Sequence, residues 1–303
     1  MSYTSPESEP PQQRRTRRGP LVVALAALVP GVLIGWLAYE AVGAGGAEPA
    51  DAATSPSPSV HASASAGADG AAAAPLKGKV VVIDPGHNPD NFRHTAEINR
   101  QVDIGSGHKE CDTTGTSTDD GYAEAKFTLD VTHRLRTLLE RQGVTVRLTH
   151  DDKGPDWGPC VTERAEIGNK AHADAAISIH ADGAPVGDRG FHVILPGTVH
   201  AGGADTRPIV GPSRDLGKSV AGSFLRVTGE PPSNYIGHGT ALDTRTDLGG
   251  LNLSTVPKVF IECGNMRDTK DAALLTSGTW RQKAAQGISE GIVSFLRGSR
   301  SAG

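Results

Sequence analysis

The sequence predicts an α/β domain that begins near residue 77 and holds one β-sheet between helices on both faces. Short apolar runs of strand length alternate there with segments whose apolar residues recur at helical spacing. Such an alternation is typical of a sheet buried between helical layers. The hydrophobic content of the whole chain is 37%, which is ordinary for a soluble protein and sufficient for one substantial core.

The individual elements follow from these patterns in chain order. Strands are expected where apolar runs are continuous, at Lys79–Asp84, Val144–Thr149, Ala175–Ile179, Phe191–Leu195 and Val259–Ile261. Helices are expected at Tyr122–Gln142, at Thr162–Ala171, in a segment capped by Ser213 that carries Leu216, Val220 and Phe224, and in a last segment that carries Trp280, Ala284, Ile288 and Ile292. Residues 99–121 are rich in Gly, Thr and Asp and are expected to form a long loop.

The amino-terminal region predicts a membrane segment. Arginines at positions 14, 15, 17 and 18 precede an apolar run from Leu21 to Tyr39, and about 20 such residues are enough to span a bilayer. Because basic residues favour the cytoplasmic side, residues 1–19 are expected to form a disordered cytoplasmic tail and residues 20–43 a transmembrane anchor. A cleaved signal peptide is the alternative, since Ala44 and Ala47 suit a peptidase, although its apolar region is usually about 7–15 residues.

The rest of the chain is expected to lie outside the cytoplasm, in the cell envelope, or to be secreted if the signal is cleaved. Residues 44–76 are mostly Ala, Ser, Gly and Pro and are predicted to be a linker, because they bury too little apolar surface to fold. Residues 77–298 then form a single catalytic domain, followed by a short tail at 299–303. The net charge of −4 argues against a nucleic-acid partner.

Three predicted strands run directly into residues that bind metals or transfer protons. The first is followed by His87, the third by His180, and the late strand at 259–261 by Glu262. Sites in open α/β sheets form beyond the carboxyl ends of the strands. A catalytic zinc takes three protein ligands and keeps a fourth position for water, so this set predicts a metal-dependent hydrolase.

The third metal ligand is expected to come from a helix. Glu124 lies in the first turn of its helix, three residues before Phe127, which directs its carboxylate toward the core-facing side. The helix dipole also favours a carboxylate at that end. We therefore expect His87, Glu124 and His180 to hold one Zn²⁺ ion, with Glu262 beside the water. A salt bridge of Glu262 with Arg164 or Arg267 is the structural alternative.

Four segments resemble the signature segments of the zinc-dependent N-acetylmuramoyl-L-alanine amidases. They are VVIDPGHNPDN, YAEAKFTLDVTHRLRTLLERQGV, ERAEIGNKAHADAAISIHADGA and VPKVFIECGNMRD, in the order of the family, and the resemblance covers about residues 78–297. It implies a mixed, twisted sheet flanked by helices. It also implies that His87, Glu124 and His180 bind zinc and that Glu262 is catalytic.

The function implied by this resemblance is hydrolysis of the amide bond between N-acetylmuramic acid and L-alanine in peptidoglycan, during remodelling or turnover of the cell wall. The expected partners are peptidoglycan or muropeptides and the membrane, through the amino-terminal helix. We expect a monomer, and activation by an unidentified partner is an open alternative. The alternatives are a zinc peptidase that cuts the stem peptide and an inactive wall-binding regulator, which would be expected to lack a ligand or the catalytic glutamate.

For residues near the predicted ligands, the sequence gives weaker predictions of a role. Asp84 and Asp182 either orient the imidazoles from outside the ligand set or serve as turn residues. His192, His200 and His238 could line the cleft, but an exposed loop position is favoured for each, and Asn265 and Met266 could shape the pocket.

The three cysteines predict one disulfide bond. Disulfides persist outside the cytoplasm. Cys111 and Cys160 both lie in predicted loops, whereas Cys263 follows Glu262 on a buried strand. We therefore expect a Cys111–Cys160 bond that pins the 99–121 loop, with Cys263 as a free buried thiol.

Overall fold

The structure, a computed structural model, describes residues 76–298. The predicted cytoplasmic tail, the membrane anchor or signal peptide, the linker up to residue 75 and the 299–303 tail lie outside the described residues. Within residues 76–298, no helix has the length and apolar character needed to cross a membrane.

Ten strands and seven α-helices make up the described domain. The strands are β1 (Val80–Pro85), β2 (Gln101–Asp103), β3 (His108–Glu110), β4 (Thr145–Leu148), β5 (Ala175–Asp182), β6 (His192–Pro196), β7 (His200–Ala201), β8 (Ala204–Asp205), β9 (Leu242–Arg245) and β10 (Lys258–Asn265). The helices are α1 (Thr95–Ile98), α2 (Glu124–Arg141), α3 (Val161–Lys170), α4 (Arg207–Thr228), α5 (Gly249–Asn252), α6 (Thr269–Leu275) and α7 (Gly278–Gly298). Short 3₁₀ turns lie at Asn91–Arg93 and Gly237–Gly239.

Six of these strands form one mixed sheet in the order β4-β1-β5-β10-β6-β9. All neighbouring pairs are parallel except β10 and β6, which are antiparallel. The expectation of a mixed sheet flanked by helices is therefore confirmed. Because β1, β5 and β10 are parallel, their carboxyl ends meet at one edge, where the predicted site residues gather.

Two parts of the predicted element pattern need correction. Residues 99–121 are not wholly a loop, because β2 and β3 pair there as an antiparallel hairpin. The sheet also has a strand, β9, that was not predicted. Three of the four residues in its sequence, LDTR, are polar, and it lies at the edge of the sheet, so it lacks the continuous apolar run of a buried strand.

The apolar core lies on the face of the sheet that packs against α2, α4 and α7. Phe127, Val131 and Leu135 of α2 are fully buried there, as their helical spacing predicted. Helices α4 and α7 pack backbone to backbone at two glycines of α7. A Cβ at Gly291 would lie 2.5 Å from the Cα of Val220, and one at Gly287 would lie 2.9 Å from the Cα of Phe224.

Replacing Gly291 with alanine should therefore destabilise the domain, by about 1–3 kcal/mol, because the added methyl group forces two helices apart. The matched control is Gly222→Ala in α4, where a new Cβ would meet nothing within 4 Å. That control should leave stability unchanged or raise it by up to about 1 kcal/mol. Urea denaturation measures both effects, and equal stability of the two variants would refute the close packing.

Candidate active site

The three predicted metal ligands meet at the carboxyl edge of the sheet. His87 follows β1, Glu124 is the first residue of α2, and His180 lies in β5. The Nε2 atom of His87 lies 3.1 Å from Oε2 of Glu124, and Nδ1 of His180 lies 3.0 Å from Oε1 of the same carboxylate. One ligand atom from each residue can be chosen so that all three lie within 4.8 Å of one another.

Two glycines allow these side chains to approach so closely. A Cβ at Gly86 would lie 2.2 Å from the His180 ring. A Cβ at Gly115 would lie 2.7 Å from the His87 ring and 2.8 Å from the Glu124 carboxylate, and Gly115 also has a φ of +73°. Gly115 was not singled out in the sequence, because nothing in TTGT distinguishes it from any loop glycine.

The charges within this cluster favour binding of a cation. Burial opposes ionisation of Glu124, but the neighbouring His87 and His180 hold the pKa of its carboxyl well below the usual range. Burial likewise opposes a charge on His87, but Glu124, then Asp112, raise the pKa of its imidazole above the usual value. The cluster therefore consists of the buried carboxylate of Glu124 with the imidazoles of His87 and His180 in contact with it.

This donor set fits a zinc ion. Two histidine nitrogens and one carboxylate oxygen form one of the standard sets of catalytic zinc. The Nδ1 atom of His87 lies 3.1 Å from the carbonyl oxygen of Thr113. The Thr113 hydroxyl oxygen lies at the same distance from Nδ1. The tautomer that donates from Nδ1 to the carbonyl oxygen leaves Nε2 unprotonated, as a metal ligand must be.

Neither Asp84 nor Asp182 orients an imidazole. Asp84 accepts hydrogen bonds from Thr149, Arg164, Ser178 and Lys258. It is fully buried, and although burial opposes its ionisation, Lys258 and Arg164 hold the pKa of its carboxyl far below the usual range. Asp182 accepts hydrogen bonds from the hydroxyl of Tyr235 and the backbone N–H of Gly183. The partner found for His87 is instead the Thr113 carbonyl.

Arg164 is a buried brace of the site rather than a partner of Glu262. Its guanidinium contacts Asp84 and Asp112 at 2.8 Å each and donates to the backbone oxygen of His87 at 3.1 Å. The other suggested partner, Arg267, pairs with Asp119. The salt-bridge alternative for Glu262 is therefore wrong, since among residues 76–298 its carboxylate has no ion pair.

Glu262 is a partly buried carboxyl group beside the cluster, and it forms no ion pair within residues 76–298. Its Cα is paired with that of His180 across β10 and β5. Its Oε2 atom is buried and makes no hydrogen bond with a described residue. Burial, followed by the charges of Glu124 and Asp182, raises the pKa of Glu262 well above that of an ordinary carboxyl. A carboxyl group with a raised pKa suits both the uptake and the release of a proton.

The other histidines differ in their surroundings. His200 and His238 are exposed, as favoured from the sequence. His192 is only 2% exposed, so its interpretation as an exposed loop residue was wrong. It lies in β6 directly opposite Glu262. Asn265 donates hydrogen bonds to three carbonyl groups of the 184–188 segment, and Met266 is buried; neither lines the cavity beside His87 and His180.

Cys111 and Cys160 are joined by a disulfide bond, and Cys263 is a buried free thiol. The bond links the segment that carries Asp112 and Thr113 to the start of α3. Thr113 contacts His87, and Asp112 contacts Arg164 of that helix. The disulfide bond therefore stabilises the segment whose Thr113 contacts His87 and whose Asp112 pairs with Arg164.

Removing this bond by the double replacement Cys111→Ala and Cys160→Ala should lower the stability of the domain. The two residues are 49 positions apart, and closing a loop of that length is worth about 4 kcal/mol on the chain-entropy model. Metal content should change much less, since no predicted ligand is a cysteine. Thermal unfolding and metal analysis, with Cys263→Ala as the control, measure both quantities; an unchanged melting temperature would contradict the role of the bond.

Residues 81–294 match the family Amidase_3, described as N-acetylmuramoyl-L-alanine amidase. The N-acetylmuramoyl-L-alanine amidase Rv3717 of Mycobacterium tuberculosis is 40% identical over 231 residues, which cover 75% of this chain and 90% of that protein.

Solved structures give the same relationship. The crystal structure of the amidase Ami1 from Mycobacterium smegmatis matches with a TM-score of 0.67 and 42% identity, covering 74% of this chain and 99% of that one. The apo form of Ami1 from Mycobacterium abscessus matches with a TM-score of 0.66 and 42% identity, covering 73% and 100% respectively.

Proposed function

The chain belongs to the N-acetylmuramoyl-L-alanine amidases, hydrolases that act on peptidoglycan, and we propose that it does so with one zinc ion held by His87, Glu124 and His180 and with Glu262 as the general base. The observation that supports this most is the meeting of three ligand atoms within 4.8 Å next to a carboxyl group whose buried Oε2 atom has no hydrogen-bond partner among the described residues. The bond cut is the amide between N-acetylmuramic acid and L-alanine.

Metal binding and proton transfer are assigned to different residues of the chain. When bound, zinc acts as a Lewis acid toward the carbonyl group and makes water acidic enough to lose a proton near neutral pH. Glu262 takes that proton on its carboxylate and passes it to the departing nitrogen of alanine.

The surrounding groups keep this arrangement fixed. Thr113 fixes the orientation of His87, and Arg164 joins the backbone of His87 to Asp84 and Asp112. A cavity of about 270 Å³ opens beside His87 and His180 and is also lined by Lys109, Leu248 and Phe260. We assign this cavity to a part of the muropeptide next to the scissile bond.

We further propose that residues 77–298 work outside the cytoplasm, held by an anchor at 20–43 or released if that segment is a cleaved signal. The basic residues before the apolar run support this orientation. The disulfide between Cys111 and Cys160 also supports it, because such bonds persist in oxidising compartments.

Product analysis tests the proposed function. The purified full chain is incubated with peptidoglycan, with and without zinc, and new amino termini are identified. The amidase reaction releases stem peptides that begin with L-alanine, and a chelator should stop it. A zinc peptidase would instead expose amino termini within the stem peptide, and an inactive wall-binding regulator would expose none.

A further inference from the structure

His192 is a buried polar side chain that the proposed reaction does not yet use. It is only 2% exposed, and its Nδ1 atom is buried without a hydrogen-bond partner among the described residues. No hydrogen bond of its Nε2 atom is found within residues 76–298 either. A buried imidazole without a partner costs free energy that an apolar side chain of similar size would avoid. Such a group therefore requires an explanation.

The position of His192 in the sheet connects it to the catalytic centre. The Cα of Glu262 is paired with that of His180 on one side and with that of His192 on the other. The three side chains thus form one row across β5, β10 and β6, on the same face of the sheet. Directly paired residues have Cβ atoms about 4.5–5.5 Å apart. Glu262 consequently lies between a predicted zinc ligand and an imidazole that has no partner.

Glu262 and His192 do not satisfy each other. Both side chains have a buried polar atom without a partner, and no hydrogen bond or ion pair within the described domain joins them. Two unsatisfied polar groups therefore face the same part of the site from neighbouring strands. A polar group of a bound molecule placed between them could contact both.

The neighbours of His192 leave its ring nitrogens available. The ring of Tyr235 stands edge to face with the imidazole, with ring centroids 5.9 Å apart. The hydroxyl group of Tyr235 already donates to Asp182 at 2.9 Å. Burial lowers the pKa of His192, against smaller opposing effects of Asp182 and Asp243 and a smaller lowering effect of Arg245. A neutral imidazole offers one donor and one acceptor.

We propose that His192 is a substrate-contacting residue of the amidase reaction, whose imidazole forms a hydrogen bond with the amide segment at the scissile bond and holds that segment over Glu262. The ligand class is thus a secondary amide, which carries both a carbonyl acceptor and an N–H donor. The inference rests on the proposed role of Glu262, and it adds a contact on the side of that residue opposite to His180.

Three replacements of His192 test this contact in the full-length protein. His192→Leu removes both ring nitrogens, whereas His192→Asn and His192→Gln each restore an amide near the position of one of them. His200→Leu, at an exposed histidine, is the control. The quantities measured are kcat and KM on a purified muropeptide, bound zinc and melting temperature.

The expected result is a fall in kcat/KM of about 10- to 100-fold for His192→Leu, with zinc retained, because a buried polar group of the substrate would be left unpaired. At least one of the two amide variants should recover most of the loss, and His200→Leu should match the wild type. If leucine prevents folding, the comparison of the two amide variants remains, and one of them should be clearly the more active.

Two results would overturn the inference. One is a His192→Leu variant with kcat/KM within about twofold of the wild type, since a real contact is worth more than that. The other is equal impairment of all folded variants, which would show a purely structural role. Glu262→Gln is measured in parallel: if that variant is active, the proposed function itself fails, whereas an inactive Glu262→Gln beside a fully active His192→Leu removes only the present inference.

Discussion

Replacing Glu262 with glutamine is expected to lower muropeptide turnover by about 10²–10⁴-fold while zinc binding is retained. Glutamine has nearly the same shape as glutamate but cannot take up a proton from water. Glu262 is not among the three residues whose ligand atoms cluster, so the metal site should be unaffected. The measurements are kcat on a purified muropeptide and the zinc content of the same preparation.

The stability of this variant is a second readout of the same arrangement. The Oε2 atom of Glu262 is buried without a hydrogen-bond partner among residues 76–298, and the carboxyl group is close to the charges of Glu124 and Asp182. Glutamine removes an ionisable group from that environment, so the variant should be at least as stable as the wild type. An inactive variant that is also unfolded would leave no support for a catalytic role, and a fully active variant with normal zinc would contradict it. The exposed Glu140 serves as the control, as Glu140→Gln.

Replacing any one of His87, Glu124 or His180 with alanine is expected to remove zinc or weaken its binding severely, and to abolish activity. Each residue supplies one of only three protein ligands, and even changes in groups that merely orient ligands typically cost about 10–100-fold in metal affinity. The loss at Glu124 should be the most severe, because its two carboxylate oxygens contact both imidazoles.

Metal analysis after dialysis against zinc measures this effect, together with chelation and zinc rescue of activity. The wild type should lose activity with a chelator and regain it with zinc, whereas the three variants should not regain it. His238→Ala, at an exposed histidine, is the matched control and should keep its zinc. A variant of any of the three ligands with full zinc content and full activity would refute the assignment of that residue.

The sequence predicted the parts of the site that depend on local patterns. His180 and Glu262 end or interrupt apolar runs, and the carboxyl ends of parallel strands meet at one edge, so their proximity could be inferred. Glu124 could be placed by the helical spacing to Phe127. These positions follow from the spacing of apolar residues within one strand or helix and from the general geometry of α/β sheets.

The remaining parts depend on contacts between residues that are distant along the chain. Asp84 was suspected of orienting an imidazole, but it contacts Lys258, which is 174 residues away. An exposed position was favoured for His192 although it lies within the expected strand Phe191–Leu195, because one histidine in such a run gives no sign of the strand opposite to it. Only the antiparallel pairing of β6 with β10 places it against Glu262.

Anomalous X-ray diffraction at the zinc edge, from crystals of the zinc-loaded protein, tests the central claim most directly. We expect one zinc peak in contact with Nε2 of His87, Nδ1 of His180 and the carboxylate of Glu124, with the carboxyl group of Glu262 near the ion but not bound to it. A zinc peak at another place, or zinc bound through Glu262 in place of one of the three ligands, would refute the proposed metal site.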